Sequence, residues 1–219
     1  MIDRQPGPRV PREVIKDVAG FVLAGGRSSR MGRDKALLEL GSLKLIEWAK
    51  MILAGAGLDF WIAGARNPEL AAFGPVIPDL WEDAGPLGGV CSVLRHTDRD
   101  WAVFVTVDQP LMEPALVSQL LDRARTGGSA VTVASLHGAA QTFPAVLRRD
   151  ALKALEAELE AGRLGCLQAF RAAGLAVVAA EELAVPADGL RVEEWFWNVN
   201  SPKELEAIAE ALQRRPAVG

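Results

Sequence analysis

Apolar runs and helical periodicities alternate along this chain. Val18–Leu23 is an apolar run interrupted only by Gly20 and reads as a first strand. Leu45, Ile46, Ala49, Ile52 and Leu53 recur at helical spacing, which predicts a helix over residues 43–54. Short strands are predicted at Phe60–Ala63 and Val76–Ile77, and a helix over residues 87–94 in spite of Gly88-Gly89. Residues 102–107 are apolar without alternation and mostly β-branched, the pattern of a strand covered on both faces. Leu116, Val117, Leu120, Leu121 and Ala124 mark an amphipathic helix, and residues 130–134 and 143–147 read as strands. Leu152, Leu155 and Leu159 line a helix starting near Asp150, residues 175–178 form a short strand, and the last helix starts at Ser201. Strands alternating with helices predict an α/β protein, a three-layer α/β/α sandwich on a mostly parallel sheet. No repeat, low-complexity tract or linker interrupts the pattern. The expected organisation is an N-terminal extension, residues 1–17, followed by one domain, residues 18–219.

Composition narrows the function classes. The chain has 219 residues, 50% hydrophobic and 24% charged, as ordinary soluble globular domains are. A net charge of −4 argues against a general nucleic-acid surface. No segment is long and apolar enough to span a membrane. The first 17 residues carry three prolines and several charges and do not resemble a secretory signal, so a cytoplasmic protein is expected. Cys91 and Cys166 lie far apart and in no metal-ligand spacing, so they are expected as buried small apolar groups in a reducing compartment. His96 and His137, the only histidines, show no ligand spacing either.

One stretch breaks with this ordinary composition. The first strand runs into Leu23-Ala24-Gly25-Gly26, and Arg27, Arg30, Arg33 and Lys35 follow within nine residues. Glycines let backbone amides approach an anion, and a helix start just beyond adds its positive end. An acidic chain that binds a polyphosphate must concentrate positive charge in this way. The Walker pattern fails, because Lys35 follows Asp34 and precedes Ala36, and the Gly-x-Gly-x-x-Gly dinucleotide fingerprint is absent. Taken alone, Gly25-Gly26 reads equally well as a tight turn. Taken whole, Leu-Ala-Gly-Gly-x-Ser-x-Arg-Met-Gly-x-Asp-Lys resembles the signature of the molybdenum cofactor guanylyltransferases. The resemblance implies a nucleotide-diphospho-sugar transferase type of Rossmann-like fold. In it Leu23, Ala24, Gly25 and Gly26 wrap the triphosphate of GTP, and Lys35 and Arg30 act on its phosphates.

The remaining site residues divide between chemistry and resemblance. Asp108 ends an apolar strand, where open parallel sheets bind ligands and where one carboxylate can hold a magnesium ion together with phosphates. Alone, it could equally open a turn. Asp108-Gln109-Pro110 matches the family's Asp-x-Pro, whose aspartate binds magnesium and the nucleotide phosphates. Asp79 matches an aspartate that helps bind the nucleoside, with Asp83 as a weaker substitute. Gly85 and Gly89 match the family's Gly-Pro-Leu-Ala-Gly string, with Gly88 in place of the alanine. Ser201, Pro202 and Glu204 form a capping box with proline at the first helical position, which leaves Asn198 and Asn200 unexplained. On a strand they would point to one side, and the family's Asn-x-Asn-Thr-Pro places Asn200 near metal or phosphates with Asn198 as support. Gln141-Thr142-Phe143-Pro144 falls in the half that receives the pterin, with Phe143 where relatives often carry histidine; it reads as a changed pterin contact or as core.

The resemblance implies transfer of GMP from GTP to the phosphate of molybdenum-bearing molybdopterin, with magnesium as the ion. It also implies contact with molybdoenzyme chaperones or other biosynthetic proteins. Bacterial relatives can carry an asparagine at the end of the second strand, where this chain reads Trp61-Ile62-Ala63-Gly64-Ala65, so base preference stays open there. A cousin group that transfers CMP typically reads Leu-Ala-Ala-Gly in the loop, and Leu23-Ala24-Gly25-Gly26 favours GTP. A cytidylyltransferase or related transferase, and a non-catalytic cofactor carrier, are the competing readings.

Overall fold

A computed structural model describes residues 16–25, 34–183 and 189–214. Strand β1 (Val18–Leu23) is followed by a small hairpin of β2 (Glu39–Leu40) and β3 (Leu43–Lys44) and by helix α1 (Leu45–Gly55). Next come β4 (Phe60–Ala63), β5 (Val76–Ile77), α2 (Gly85–His96), β6 (Trp101–Thr106) and α3 (Pro114–Gly127). The chain continues through β7 (Val131–Leu136), β8 (Ala139–Arg148), α4 (Leu152–Glu160), α5 (Cys166–Ala173), β9 (Leu175–Ala179) and the short α6 (Ala180–Leu183). A 3-10 turn at Val192–Phe196 precedes α7 (Pro202–Gln213).

The main sheet has seven strands in the order β5-β4-β1-β6-β8-β7-β9. Parallel pairs join β1 to β4 and β6, β4 to β5, and β7 to β9, while β8 runs against both its neighbours. The chain leaves β1 toward β4 and β5 and returns on its other side at β6. The order therefore reverses at β1, and an open sheet of this kind forms its ligand crevice beyond the strand ends there. Because β8 is reversed, its beginning reaches the same edge as the end of β6: Phe104 pairs with Ala145, and Gln141 to Phe143 lie beyond.

Apolar layers cover both faces of the sheet. Val18 and Val22 of β1 and Val103 and Val105 of β6 pack with Leu45 and Ile46 of α1, Leu116 and Val117 of α3 and Ile208 of α7. The alternate residues Ala19, Phe21, Ala102 and Phe104 pack on the opposite side with Leu87 and Val90 of α2, Leu155 of α4 and Phe170 of α5. Strand side chains alternate between faces, and here both faces are covered, so β1 and β6 read as unbroken apolar runs. The three-layer architecture and mostly parallel sheet agree with the sequence reading.

Local departures have local causes. The first helix starts at Leu45 and not at 43, because Leu43 and Lys44 pair with Leu40 and Glu39 in the hairpin. The Glu47 carboxylate accepts from the Lys44 N–H at 2.8 Å and fixes that start. Asn198, Val199 and Asn200 form no strand, yet Val199 is buried and both asparagines are exposed, so the expected common side is kept. Of the expected extension only Lys16 and Asp17 are described, and Asp17 accepts two bonds from Arg125 at 2.6 Å. No helix among the described residues is long and apolar enough to cross a membrane.

Cys91 and Cys166 are free and buried, and burial pushes both thiols up to about 12. The thiolate is the reactive form. Neither thiol is expected to react with a disulfide reagent in the native protein near neutral pH, and both should react after denaturation. Fast labelling of the native chain would contradict the packing described.

Candidate active site

The site begins where β1 and β4 end. The Ala24 N–H donates to the Ala63 carbonyl at 2.9 Å, which continues the strand pairing into the loops. Gly25 and Gly64 then touch along their backbones: a β-carbon on Gly25 would lie 2.7 Å from the Gly64 oxygen. Gly64 also holds φ +70°, a left-handed conformation that favours glycine.

Around this contact lie two adjoining lobes. The smaller, about 180 Å3, is lined on its polar side by Arg66, Asp79 and Asp83, with Trp81, Gly85 and Gly89 around them. The larger, about 370 Å3, is lined by Ala24, Lys35, Asp108 and Asn198 together with Gln141, Thr142 and Phe143. Leu23, Gly25 and Pro86 line both lobes, so the two form one continuous groove.

In the small lobe, α2 and the turn before it set the geometry. The Ser92 hydroxyl donates to the Gly88 carbonyl at 2.8 Å and accepts from the Leu80 N–H at 2.9 Å, which ties the Asp79-Leu80 turn to the helix. A β-carbon on Gly89 would lie 3.6 Å from Asp79 Oδ1, and one on Gly64 3.7 Å from Oδ2. The Asp79 carboxylate therefore sits between two glycines. Their walls partly desolvate it and raise its pKa, against a smaller opposing pull from the Arg66 charge. A β-carbon on Gly88 would meet that of Ala84 at 2.8 Å, so the departure from the family's alanine is required by packing.

The large lobe gathers charge from distant parts of the chain. Asp34 caps the 3-10 turn Lys35–Leu37 by accepting from the Ala36 N–H at 3.0 Å. That places Lys35 Nζ 3.4 Å from Asp108 Oδ2 and 3.0 Å from Asn200 Oδ1. Asp108 stands two residues past β6, and its carbonyl accepts from the Val199 N–H at 2.8 Å, which brings the asparagine segment alongside. Asn198 Nδ2 donates to the Phe196 carbonyl at 3.0 Å. Phe143 both lines the lobe and packs edge-on against Phe170, so the two readings of it are compatible.

The ammonium of Lys35 thus bridges two hard oxygen donors, one carboxylate and one amide. Magnesium commonly takes one or two carboxylates and leaves its other positions to water and substrate phosphates. The donor set fits such a phosphate-bound ion. It does not make a protein cage: no group of three or more His, Cys, Asp and Glu side chains able to hold a metal occurs among the described residues.

Asn200 is held in turn by the last helix. Glu204 accepts from the Asn200 N–H at 2.8 Å and the Ser201 hydroxyl at 2.9 Å. The Ser201 bond, then the Asn200 N–H, hold the Glu204 pKa below its ordinary value of 4.5. A depressed carboxylate pKa gives stability that is fully present above the ordinary value and lost as pH falls through the folded one. The Asn200 amide resonance is therefore expected to titrate with a midpoint below 4.5, and Glu204→Gln should flatten that curve. A midpoint at or above the ordinary value would contradict this network.

Most of the expected site residues converge. Leu23 and Gly25 line both lobes, Ala24, Lys35, Asp108 and Asn198 the larger, and Asp79, Gly85 and Gly89 the smaller. Asn200 joins through Lys35. Gly26 and Arg30 lie outside the described residues. His137, exposed and paired with Glu181 and Glu193, lines neither lobe. Arg66, Trp81 and Thr106 line the groove without having been singled out from the sequence. Arg66 and Thr106 could have been found from position, since they stand just past or at the carboxyl ends of β4 and β6.

Comparison with known proteins bears on the family and the fold. The family model of the MobA-like NTP transferase domain matches residues 20–177. A molybdenum cofactor guanylyltransferase of Xanthomonas euvesicatoria pv. vesicatoria is 46% identical over 103 residues, 47% of this chain and 52% of that relative. One of Photobacterium profundum is 31% identical over 196 residues, 87% of this chain and 95% of the relative. In fold, the chain resembles molybdopterin-guanine dinucleotide biosynthesis protein A from Archaeoglobus fulgidus, with a TM-score of 0.76 at 22% identity over 90% of this chain and 99% of that one. The matched span runs from within β1 into β9 and contains Lys35, Asp79 and Asp108, and the chain belongs to the MobA-like NTP transferase domain family.

Proposed function

We propose that the protein transfers GMP from GTP to the terminal phosphate of molybdopterin that carries molybdenum. The observation that carries this reading is the continuous two-lobed groove, with Lys35, Asp108 and Asn200 gathered at its larger lobe. Relatives named as guanylyltransferases of the molybdenum cofactor support the choice of substrates.

The small lobe takes the nucleoside, with Asp79 as an acceptor for its donor groups. Gly25, at the shared wall, leaves room for the phosphate chain, and Lys35 meets that chain in the large lobe. A phosphate oxygen of the pterin attacks the α-phosphorus of GTP. The new P–O bond forms as the α–β anhydride bond breaks, and pyrophosphate leaves with the electron pair. The attacking phosphate is already ionised, so no side chain has to remove a proton. The chain's task is alignment and charge neutralisation. Lys35 offsets charge growing on the leaving pyrophosphate. Asp108, with Asn200 beside it, would hold magnesium, which supplies further neutralisation of the phosphate oxygens when bound. The start of β8 takes the pterin side, with Asn198 in support of Asn200.

The test is turnover of GTP, CTP and ATP with molybdenum-bearing molybdopterin, with and without a chelator, the dinucleotide read by mass. GTP-selective, chelator-sensitive product is expected. CTP-selective product would move the chain to the cytidylyltransferases. Absence of product with all three nucleotides, despite bound pterin, would overturn the enzyme reading in favour of a carrier.

A further inference from the structure

The small lobe contains a cation that the reaction above does not use. Arg66 stands three residues past β4, and its Nη2 lies 2.9 Å from Asp83 Oδ1. The two side chains are 61% and 65% exposed, so their pairing adds little to fold stability. Its geometric effect is larger, because it joins the loop after β4 to the turn before α2 and fixes the guanidinium at the lobe. Asp83 presents its carboxylate from a φ of 54°, a conformation uncommon for a non-glycine residue. Arg66 also acts on the carboxylate of Asp79 in the same lobe. The rest of the wall is glycine, Leu23, Pro86 and Trp81. The segment Ala63-Gly64-Ala65 brings no hydrogen-bonding side chain.

A guanidinium presents a planar fork of donors. Guanine carries two adjacent acceptors, O6 and N7, that match this fork, whereas adenine places an amino donor beside N7. Cytosine has no such pair of acceptors on that edge. We infer that Arg66, aimed by Asp83, reads the O6/N7 edge of guanine in the small lobe and so sets the base preference of the enzyme. This rests on the proposed use of GTP.

The test compares equilibrium binding of GTP and 7-deaza-GTP, which lacks only the N7 acceptor, to the full chain and to Arg66→Ala. The unaltered protein is expected to bind GTP about ten-fold more tightly than the deaza analogue. In Arg66→Ala that ratio should fall to about one, because GTP loses the contacts to both O6 and N7 and 7-deaza-GTP only the one to O6. Asp83→Asn should give an intermediate ratio, and the melting temperature of Arg66→Ala should stay near that of the unaltered protein. Equal weakening of both nucleotides, or an unchanged ratio in a protein that still makes guanine dinucleotide, would overturn the inference and leave the proposed function standing. Preference for CTP in the unaltered protein would overturn both.

Discussion

Asp108→Asn is expected to lower GTP-dependent turnover by roughly 10²–10³-fold, and Lys35→Ala by a similar factor, with folding little affected. Transfer between phosphates depends on charges fixed in advance where negative charge accumulates, and these two side chains meet in the large lobe at 3.4 Å. Neither belongs to the core: the side chains of Lys35 and Asp108 are 21% and 26% exposed, at the groove edge. The asparagine is nearly isosteric, and the Asp108 carbonyl keeps its bond from Val199. Loss of the ion pair should therefore cost at most about 1 kcal/mol of stability. The two variants should differ in one respect. Asp108→Asn should raise the magnesium concentration needed for half-maximal rate, because it removes the carboxylate proposed to hold the ion. Lys35→Ala should lower the rate at every magnesium concentration. Single-turnover rates across a magnesium series, with thermal melts alongside, check both, and near-normal turnover in either variant would remove that residue from its role.

The second large effect is expected at the glycine contact. Gly64→Ala, Gly25→Ala and Gly85→Ala separate two kinds of cost. Gly85 holds φ +62° in open space, so alanine there should cost only the left-handed penalty of about 1–2 kcal/mol. A β-carbon on Gly25 would lie 2.7 Å from the Gly64 oxygen, which is backbone and cannot rotate away. Gly64 combines a φ of +70° with Gly25 backbone atoms 3.3 Å from the added carbon. Gly25→Ala and Gly64→Ala are therefore both expected to be more damaging than Gly85→Ala, and Gly64→Ala should lower the melting temperature by several degrees in a chain of this size. It should also lose at least about ten-fold in GTP affinity, because the loops after β1 and β4 would part where the two lobes join. Calorimetric melts and nucleotide titration of the three variants test this, and a Gly64→Ala protein that binds GTP normally would show that the contact does not shape the groove.

The sequence was most readable where burial is complete. The strands Val18–Leu23, Phe60–Ala63 and Val76–Ile77 lie where their apolar residues predict them. The buried faces of α1 and α3 carry the residues named from helical spacing. Helix α5 was not predicted because its eight residues, between Gly165 and Gly174, are too few for a period to show. The direction of β8 was hidden for another reason, since an apolar run reports burial and not strand sense. At the site, Lys35, Asp108 and Asn200 were legible because each belongs to a motif or follows a strand. Arg66 was missed because it belongs to no motif; its place just past β4 was the one signal, and only the fold sets it beside Asp79 and Asp83.

The reversal of β8 separates two kinds of change. Gln141, Thr142 and Phe143 enter the groove from the beginning of a strand, whereas Leu23, Arg66 and Asp108 come from the ends of others or just beyond them. None of the three β8 residues borders the small lobe. Substitutions at the head of this one strand can reshape the part of the large lobe proposed for the acceptor while the small lobe keeps its walls. On the proposed reading, a lineage built on this sheet can thus exchange the molecule it modifies without redesigning the lobe that holds the nucleoside.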